Sequence, residues 1–188
     1  GKWKSGKVKG HVFPSDPGLA LEEALDSGEV LDAKRHFQFY PTPKPIAEVV
    51  ANLANVGTAH RVLEPSAGDG GLLAELPEGV KADACEVQDH LREHLSAKGA
   101  ANVVAADFLN YNPGPVYDRI VANPPFTKGQ AVKHADHMLD CLAPGGRLVC
   151  VLPFGVQQNS DKATVAFRQR LQDRCSRIQW MPLPEDAF

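Results

Sequence analysis

The period of the apolar positions changes along this chain, and the change divides it near residue 40. Leu19 to Leu31 carries apolar residues at helical spacing with an acidic face, interrupted by Gly28. Apolar residues at 46, 49, 50 and 53 predict an amphipathic helix entered through Pro43 and Pro45. After it, short near-continuous apolar runs alternate with helical patterns. The runs predict strands at Arg61 to Glu64, Lys81 to Glu86, Asn102 to Asp107, Tyr117 to Ala122, Arg147 to Leu152 and Arg177 to Leu183. Between them, helices are predicted through Leu76, over Gln88 to Lys98, over Gly129 to Leu142 (stopped by Pro144-Gly145-Gly146) and over Lys162 to Gln172. Strands apolar on both faces, alternating with helices, predict an α/β fold with a doubly wound, mostly parallel sheet. In such a sheet a ligand binds beyond the carboxyl ends of the strands, where the strand order reverses.

Four strand ends carry candidate chemistry. The first is Glu64-Pro65-Ser66-Ala67-Gly68-Asp69-Gly70-Gly71. Its small residues let the backbone approach a ligand, and Gly68 and Gly70 can take positive φ. The spacing is not that of a dinucleotide loop, and Glu64 stands where a pyrophosphate would be repelled. An acid beside a glycine loop suits a ligand with a cationic amino-acid portion. Glu86 follows Glu64 by 22 residues, close to the ~20-residue offset of an acid that holds ribose hydroxyls. Asp107 ends the third strand and suits an adenine amino group. The fourth strand runs out into Asn123-Pro124-Pro125-Phe126. Two adjacent prolines fix two φ angles and remove two donors, and the first biases Asn123 toward an extended backbone. The result is a rigid tetrapeptide that offers the Asn123 oxygen and the Pro124 carbonyl as acceptors beside an aromatic face. That device fits a planar NH2 group. A plain proline-rich turn with a buried Phe126 is the simpler alternative.

Composition narrows the setting. The chain has 188 residues, 43% hydrophobic and 23% charged, with a net charge of −3. Those proportions are ordinary for a globular protein, and the charge lacks the global basic footprint of a dedicated nucleic-acid binder. No apolar run approaches the ~18 residues of a membrane helix, and no signal-peptide pattern appears. Cys85, Cys141, Cys150 and Cys175 are widely spaced, which points to free thiols in a reducing, cytoplasmic setting.

Three blocks together carry a family resemblance. Phe39-Tyr40-Pro41-Thr42-Pro43, Glu64-Pro65-Ser66-Ala67-Gly68-Asp69-Gly70 and Asn123-Pro124-Pro125-Phe126 resemble, in that order, the F-x-T-P element, the cofactor loop and the catalytic N-P-P-Y/F of class I S-adenosylmethionine-dependent methyltransferases. The similarity extends over residues 39–183 and is to the amino-group type acting on N6 of adenine in DNA, with the γ-type motif order. It implies S-adenosyl-L-methionine as cofactor, no metal and DNA as substrate. Methyltransferases acting on RNA bases or a protein glutamine share the tetrapeptide and are the alternative, as is a silent partner subunit of this fold. The resemblance further implies cofactor contacts from Tyr40, Thr42, Pro43, Glu64, Ser66, Ala67, Gly68, Gly70, Glu86, Asp107, Phe108 and Asn123, and catalytic roles for Asn123, Pro124, Pro125 and Phe126. Residues 1–38 are expected to form an N-terminal arm and helix, and 39–188 the methyltransferase domain. Two departures stand out. No room is left for a target-recognition domain, so a partner or missing segment is expected to choose the target. The family sheet ends in a hairpin of which Arg177 to Leu183 supplies one strand, so a partner strand is expected beyond Phe188.

Weaker signals compete. His90-Leu91-Arg92-Glu93-His94 matches an inverted zinc-peptidase pattern, but no third ligand is placed with it. His134 and His137 read as a solvated helix face. Residues 1–16, with Lys2, Lys4, Lys7 and Lys9 among glycines, read as a mobile arm, either a disordered or vector-derived tail or, with Trp3, an arm that tracks phosphates. Arg168, Arg170, Arg174 and Arg177 read as a solvated or a phosphate-facing cluster. Phe154 fits either the core or a base pocket.

Overall fold

The computed structural model describes residues 2–4, 10–12, 41–97 and 101–184. The chain divides into two compact units, Gly1–Phe37 and Gln38–Phe188. In the first, β1 (Lys2–Lys4) pairs antiparallel with β2 (Gly10–Val12), Trp3 opposite His11. The mobile arm expected there is thus corrected at these residues to a short ladder. The helix expected from Leu19 to Leu31, and Phe39 and Tyr40, lie outside the described residues.

The second unit is built on one parallel sheet. Its strands are β3 (Val62–Glu64), β4 (Ala82–Cys85), β5 (Asn102–Ala105), β6 (Tyr117–Ala122) and β7 (Leu142–Cys150), in the spatial order β5-β4-β3-β6-β7. Period-2 alternation divides the side chains between two cores. Val62, Ala82, Ala84 and Val121 face α1 (Lys44–Ala54) and α2 (Asp89–Ala97), joined by Ile46, Val50 and Leu95. Leu63, Cys85, Ile120 and Ala122 pack with Met138 and Cys141 of α3 (Gln130–Cys141) on the other face. There Val132, Ala135 and Leu139 of α3 meet Phe167 of α4 (Lys162–Arg174). The expected α/β doubly wound fold is borne out, with helices on both faces of an all-parallel sheet. All four cysteines are free. No described helix is long and apolar enough to cross a membrane.

Three elements differ from expectation. The short helix before Leu76 is a 3-10 turn over Leu73–Glu75. β7 begins at Leu142, not Arg147, because Leu142 pairs with Tyr117 before Ala143–Gly146 bulges out and Arg147 resumes opposite Arg119. Arg177 to Leu183 forms no strand. Its aromatic and β-branched residues favour an extended chain, but a strand exists only where a neighbour completes its ladder. Leu183 packs against the α1-side core while Ile178, Trp180 and Met181 remain exposed.

Of the four arginines read as a solvated or phosphate-facing cluster, Arg174 and Arg177 are exposed, and Arg168, Arg170 and Arg174 also make structural contacts. Arg170 pairs with Asp136 at 2.8 Å and with Asp140, and Arg174 reaches Asp140 at 2.9 Å. With Arg168 donating to the Val156 carbonyl at 2.8 Å, the arginines fasten α4 to its surroundings. His134 is buried rather than solvated. Its ring stands 5.6 Å from that of Phe108 and its Nδ1 has no partner. Burial lowers its pKa to about 4, with Asp107 opposing and His137 assisting.

A base with a depressed folded-state pKa stabilises fully only above its unfolded pKa, and that stability is lost as pH falls toward the folded value. Between about pH 6.5 and about pH 5 the parent should therefore lose roughly 1.5 kcal/mol through His134, on the scale of ~1.4 kcal/mol per pKa unit. His134→Leu should lack this component. Chemical denaturation of both proteins at the two pH values would show it as a difference in acid sensitivity.

Candidate active site

The order β5-β4-β3-β6-β7 puts the reversal between β3 and β6. In such sheets the ligand crevice forms outside the carboxyl ends of the strands that flank the reversal. Glu64, the last residue of β3, is 2% exposed. The chain then turns tightly: Ala67 N donates to the Cys85 carbonyl at 3.0 Å, and Gly70 N to the Ala67 carbonyl at 2.9 Å. Gly68 and Gly70 hold φ of 56° and 86°, values that a side chain would strain. A Cβ at Gly70 would also meet Leu95 at 3.0 Å.

Glu86 ties this loop to the next strand end. Its Oε2 accepts from Gly68 N and its Oε1 from Gln88 N, each at 2.8 Å. A carboxylate oxygen has a second lone pair, so Glu86 can still take a further donor. Arg92 fixes the turn that bears it, its Nη1 donating to the Glu86 and Val87 carbonyls at 2.8 and 2.7 Å. Arg92 sits in the middle of the zinc-like pentapeptide. Among the described residues no cluster of three or more His, Cys, Asp or Glu side chains could hold a metal.

The third strand end does different work. Asp107 accepts from Leu109 N at 2.9 Å and from Asn110 Nδ2 at 2.6 Å, capping a 3-10 turn, and its side chain is exposed. Phe108 is 2% exposed and lies 4.7 Å from the His137 ring. Its ring belongs to the core. Val87, absent from the sequence expectations, is 54% exposed directly after Glu86. An exposed apolar residue following a strand-end acid was the available signal.

Asn123 leaves β6 with its amide divided between two environments. Nδ2 donates to Thr42 Oγ1 at 3.0 Å, while Oδ1 is buried without a partner. Pro124 is buried, and Phe126 packs partly against the α1-side core. Two residues in the left-handed region follow, Lys128 (φ 52°) and Gly129 (φ 72°), before α3 begins. Phe126 also borders a cleft of about 450 Å³ lined by Lys128, Lys133, Pro153 and Asn159. Phe154 is 65% exposed beyond β7, which excludes the core reading. On the near side, Pro43 caps α1 through its carbonyl, which accepts from Ile46 N at 2.9 Å and Ala47 N at 3.0 Å. A Cβ at Gly71 would stand 3.5 Å from the Thr42 carbonyl oxygen, so residues 41–43 lie against the glycine loop.

Among the described residues six buried side-chain polar atoms lack a partner, and three of them gather here: Glu64 Oε2, Ser66 Oγ and Asn123 Oδ1. Burial first, then Asp69 and Glu86, pushes the Glu64 carboxyl well above the ordinary carboxylate range. Unpaired buried acceptors are unfavourable unless a ligand supplies donors. The loop geometry and the donor-hungry acceptors fit a cationic, hydroxyl-bearing ligand.

No protein-family profile matches the chain. A type II methyltransferase of Thermus thermophilus, M.TthHB8I, is 34% identical over 103 residues, 52% of this chain and 23% of that protein. The methylase subunit of the type I restriction enzyme StySPI from Salmonella potsdam is 23% identical over 79% of this chain and 37% of its own length. A crystal structure of a modification subunit of a putative type I restriction enzyme from Vibrio vulnificus YJ016 superimposes with a TM-score of 0.56 at 19% identity, covering 82% of this chain and 42% of that one. The fold is thus the Rossmann-like fold of the class I methyltransferases. The resemblance to DNA methyltransferases read from the three motifs is borne out by these relatives. The chain spans less than half the length of each of them.

An acid whose folded-state pKa is raised stabilises relative to its ionised form at low pH, and that contribution is lost as pH rises above the unfolded value. Glu64→Gln removes the buried ionisable group while keeping its shape. The variant should melt above the parent at about pH 8, with the gap narrowing toward about pH 5. Thermal melts of both proteins at the two pH values would check this, and a gap that widened on acidification would contradict the assignment.

Proposed function

We propose that this chain is the cofactor-binding catalytic core of an S-adenosylmethionine-dependent methyltransferase acting on N6 of adenine in DNA. The observation that carries the reading is the Asn123 amide, which has its NH2 end engaged and its oxygen buried and unpartnered at the end of β6. When bound, S-adenosylmethionine supplies a methyl group on a cationic sulfur. Glu64 and Ser66 would hold its amino-acid end, with Ala67, Gly68 and Gly70 admitting it close to the backbone. Glu86 would take the ribose hydroxyls. Asp107 would accept from the adenine amino group, and Val87 would offer that ring an apolar face. Tyr40, Thr42 and Pro43 would close the pocket.

The chemistry left to the protein is positioning. An exocyclic amine on adenine is a poor nucleophile because its lone pair is delocalised into the ring. Asn123 Oδ1 and the Pro124 carbonyl, each accepting one of its hydrogens, favour a tetrahedral nitrogen whose lone pair points out of the ring plane. The same two dipoles stabilise positive charge developing on that nitrogen. Asn123 is no base, so the displaced proton leaves to solvent. A duplex substrate must first lose the base from its stack, and Phe126 supplies a face for the extruded ring. Pro125 holds Phe126 to the acceptors. The choice of base sequence falls to a partner or a segment outside this core, in line with the longer relatives. The four free cysteines support a cytoplasmic setting.

With radiolabelled cofactor and pools of DNA, RNA and protein, label should enter DNA and be recovered as N6-methyladenine. Asn123→Ala should abolish transfer with S-adenosylhomocysteine affinity nearly intact, and Asn123→Asp should keep part of the activity because a carboxylate still accepts. Phe126→Ala should weaken substrate engagement by about 1–3 kcal/mol, the scale for stacking on one base, and Phe126→Trp should restore most of it. Label confined to RNA or protein would move the substrate class, and label on cytosine C5 would end the mechanism.

A further inference from the structure

The Asn123 amide has two ends of similar shape and opposite function. Only the oxygen can accept from a substrate amine; the NH2 end would meet it donor to donor. Something must therefore take the NH2 end when the oxygen faces the crevice. We infer that Thr42 is a positioning residue for the reaction: its hydroxyl holds the Asn123 amide in the orientation that presents Oδ1 to the substrate amine. This rests on the function proposed above and goes beyond the pocket-closing part given there to Thr42.

The bond between them is 3.0 Å long and spans 81 positions of sequence. Thr42 is well placed to serve as a fixed post. It lies between Pro41 and Pro43, so its following residue restricts it to an extended backbone and both neighbours have fixed φ. The Pro43 carbonyl receives the first free N–H groups of α1 from Ile46 and Ala47, and both those residues are buried. The post is thereby set on a packed helix rather than on a free loop. On its other side the Thr42 backbone rests against Gly71 of the cofactor loop. One residue thus touches both halves of the site, with its carbonyl side toward the glycine loop and its hydroxyl on the catalytic amide.

Removing the hydroxyl leaves Nδ2 without an acceptor in the reactive orientation, and the amide gains no penalty for turning over. Thr42→Val keeps the shape and deletes the acceptor; Thr42→Ser restores it; Thr42→Ala serves as a second deletion should the valine fit poorly. The side-chain 15N–1H pair of Asn123, identified by its disappearance in Asn123→Asp, should shift in Thr42→Val and Thr42→Ala and return in Thr42→Ser. The kcat for methyl transfer should fall roughly tenfold to a hundredfold in the deletions, the scale for a buried donor left unpaired. The Kd for S-adenosylhomocysteine should change less than about threefold. An unshifted Asn123 pair or an unchanged kcat overturns the inference. So does a loss of cofactor affinity that matches the loss of kcat, which would leave closing the cofactor pocket as the whole of Thr42's part. A parent that methylates nothing would defeat the proposed function instead, while the Asn123 resonances would still decide whether Thr42 holds the amide.

Discussion

The parallel pairing of β3 with β6 is the constraint from which the site follows. Val62 lies opposite Arg119 and Leu63 opposite Ile120, so the two central strands run out side by side. Alternation then decides orientation. Val62 and Val121 both belong to the α1-side core, and Glu64 and Asn123 stand two residues beyond them, on the same face. That is also where α1 delivers Thr42. A one-residue slip in this register would turn Glu64 toward the α3 side and part it from Asn123. The sheet therefore fixes more than the presence of these groups; it fixes which of them share a side.

The arrangement opposes stability locally. Glu64 is held nearly out of water, and the charges of Asp69 and Glu86 add to the cost of its carboxylate. Two backbone N–H groups serve the two oxygens of Glu86. Glu64 has no such relief at Oε2. Two acids at neighbouring strand ends thus differ: one is a girder of the glycine loop, the other is buried with Oε2 unpartnered. The surrounding cores are apolar and well covered, which is what lets a few unfavourable groups persist at the crevice.

Most of the scaffold was legible in the sequence because apolar periodicity is local. The first four parallel strands, the Arg147–Cys150 part of the fifth and α1 were expected where they occur. What escaped depended on distant partners. Arg177 to Leu183 has the composition of a strand but no ladder, and Leu142 became a strand residue only because Tyr117 lies beside it. His134 read as solvated by its spacing and proved to pack beside Phe108. The Arg92 clamp on the Glu86 turn was hidden inside a metal-like pattern. The Thr42–Asn123 bond had no local signature at all, since its two ends are joined only when α1 and β6 come together.

Two prolines stand inside the tetrapeptide, and the left-handed pair Lys128–Gly129 follows it after Thr127. Between them few torsions remain free. A flexible loop would have to give up conformational entropy each time a substrate amine arrived, at about 1–2 kcal/mol for every backbone residue ordered. Here that freedom is surrendered once, when the chain folds. On the proposed function, the bracket that presents the two acceptors would meet each substrate already set, and recognition would draw on order established before any encounter.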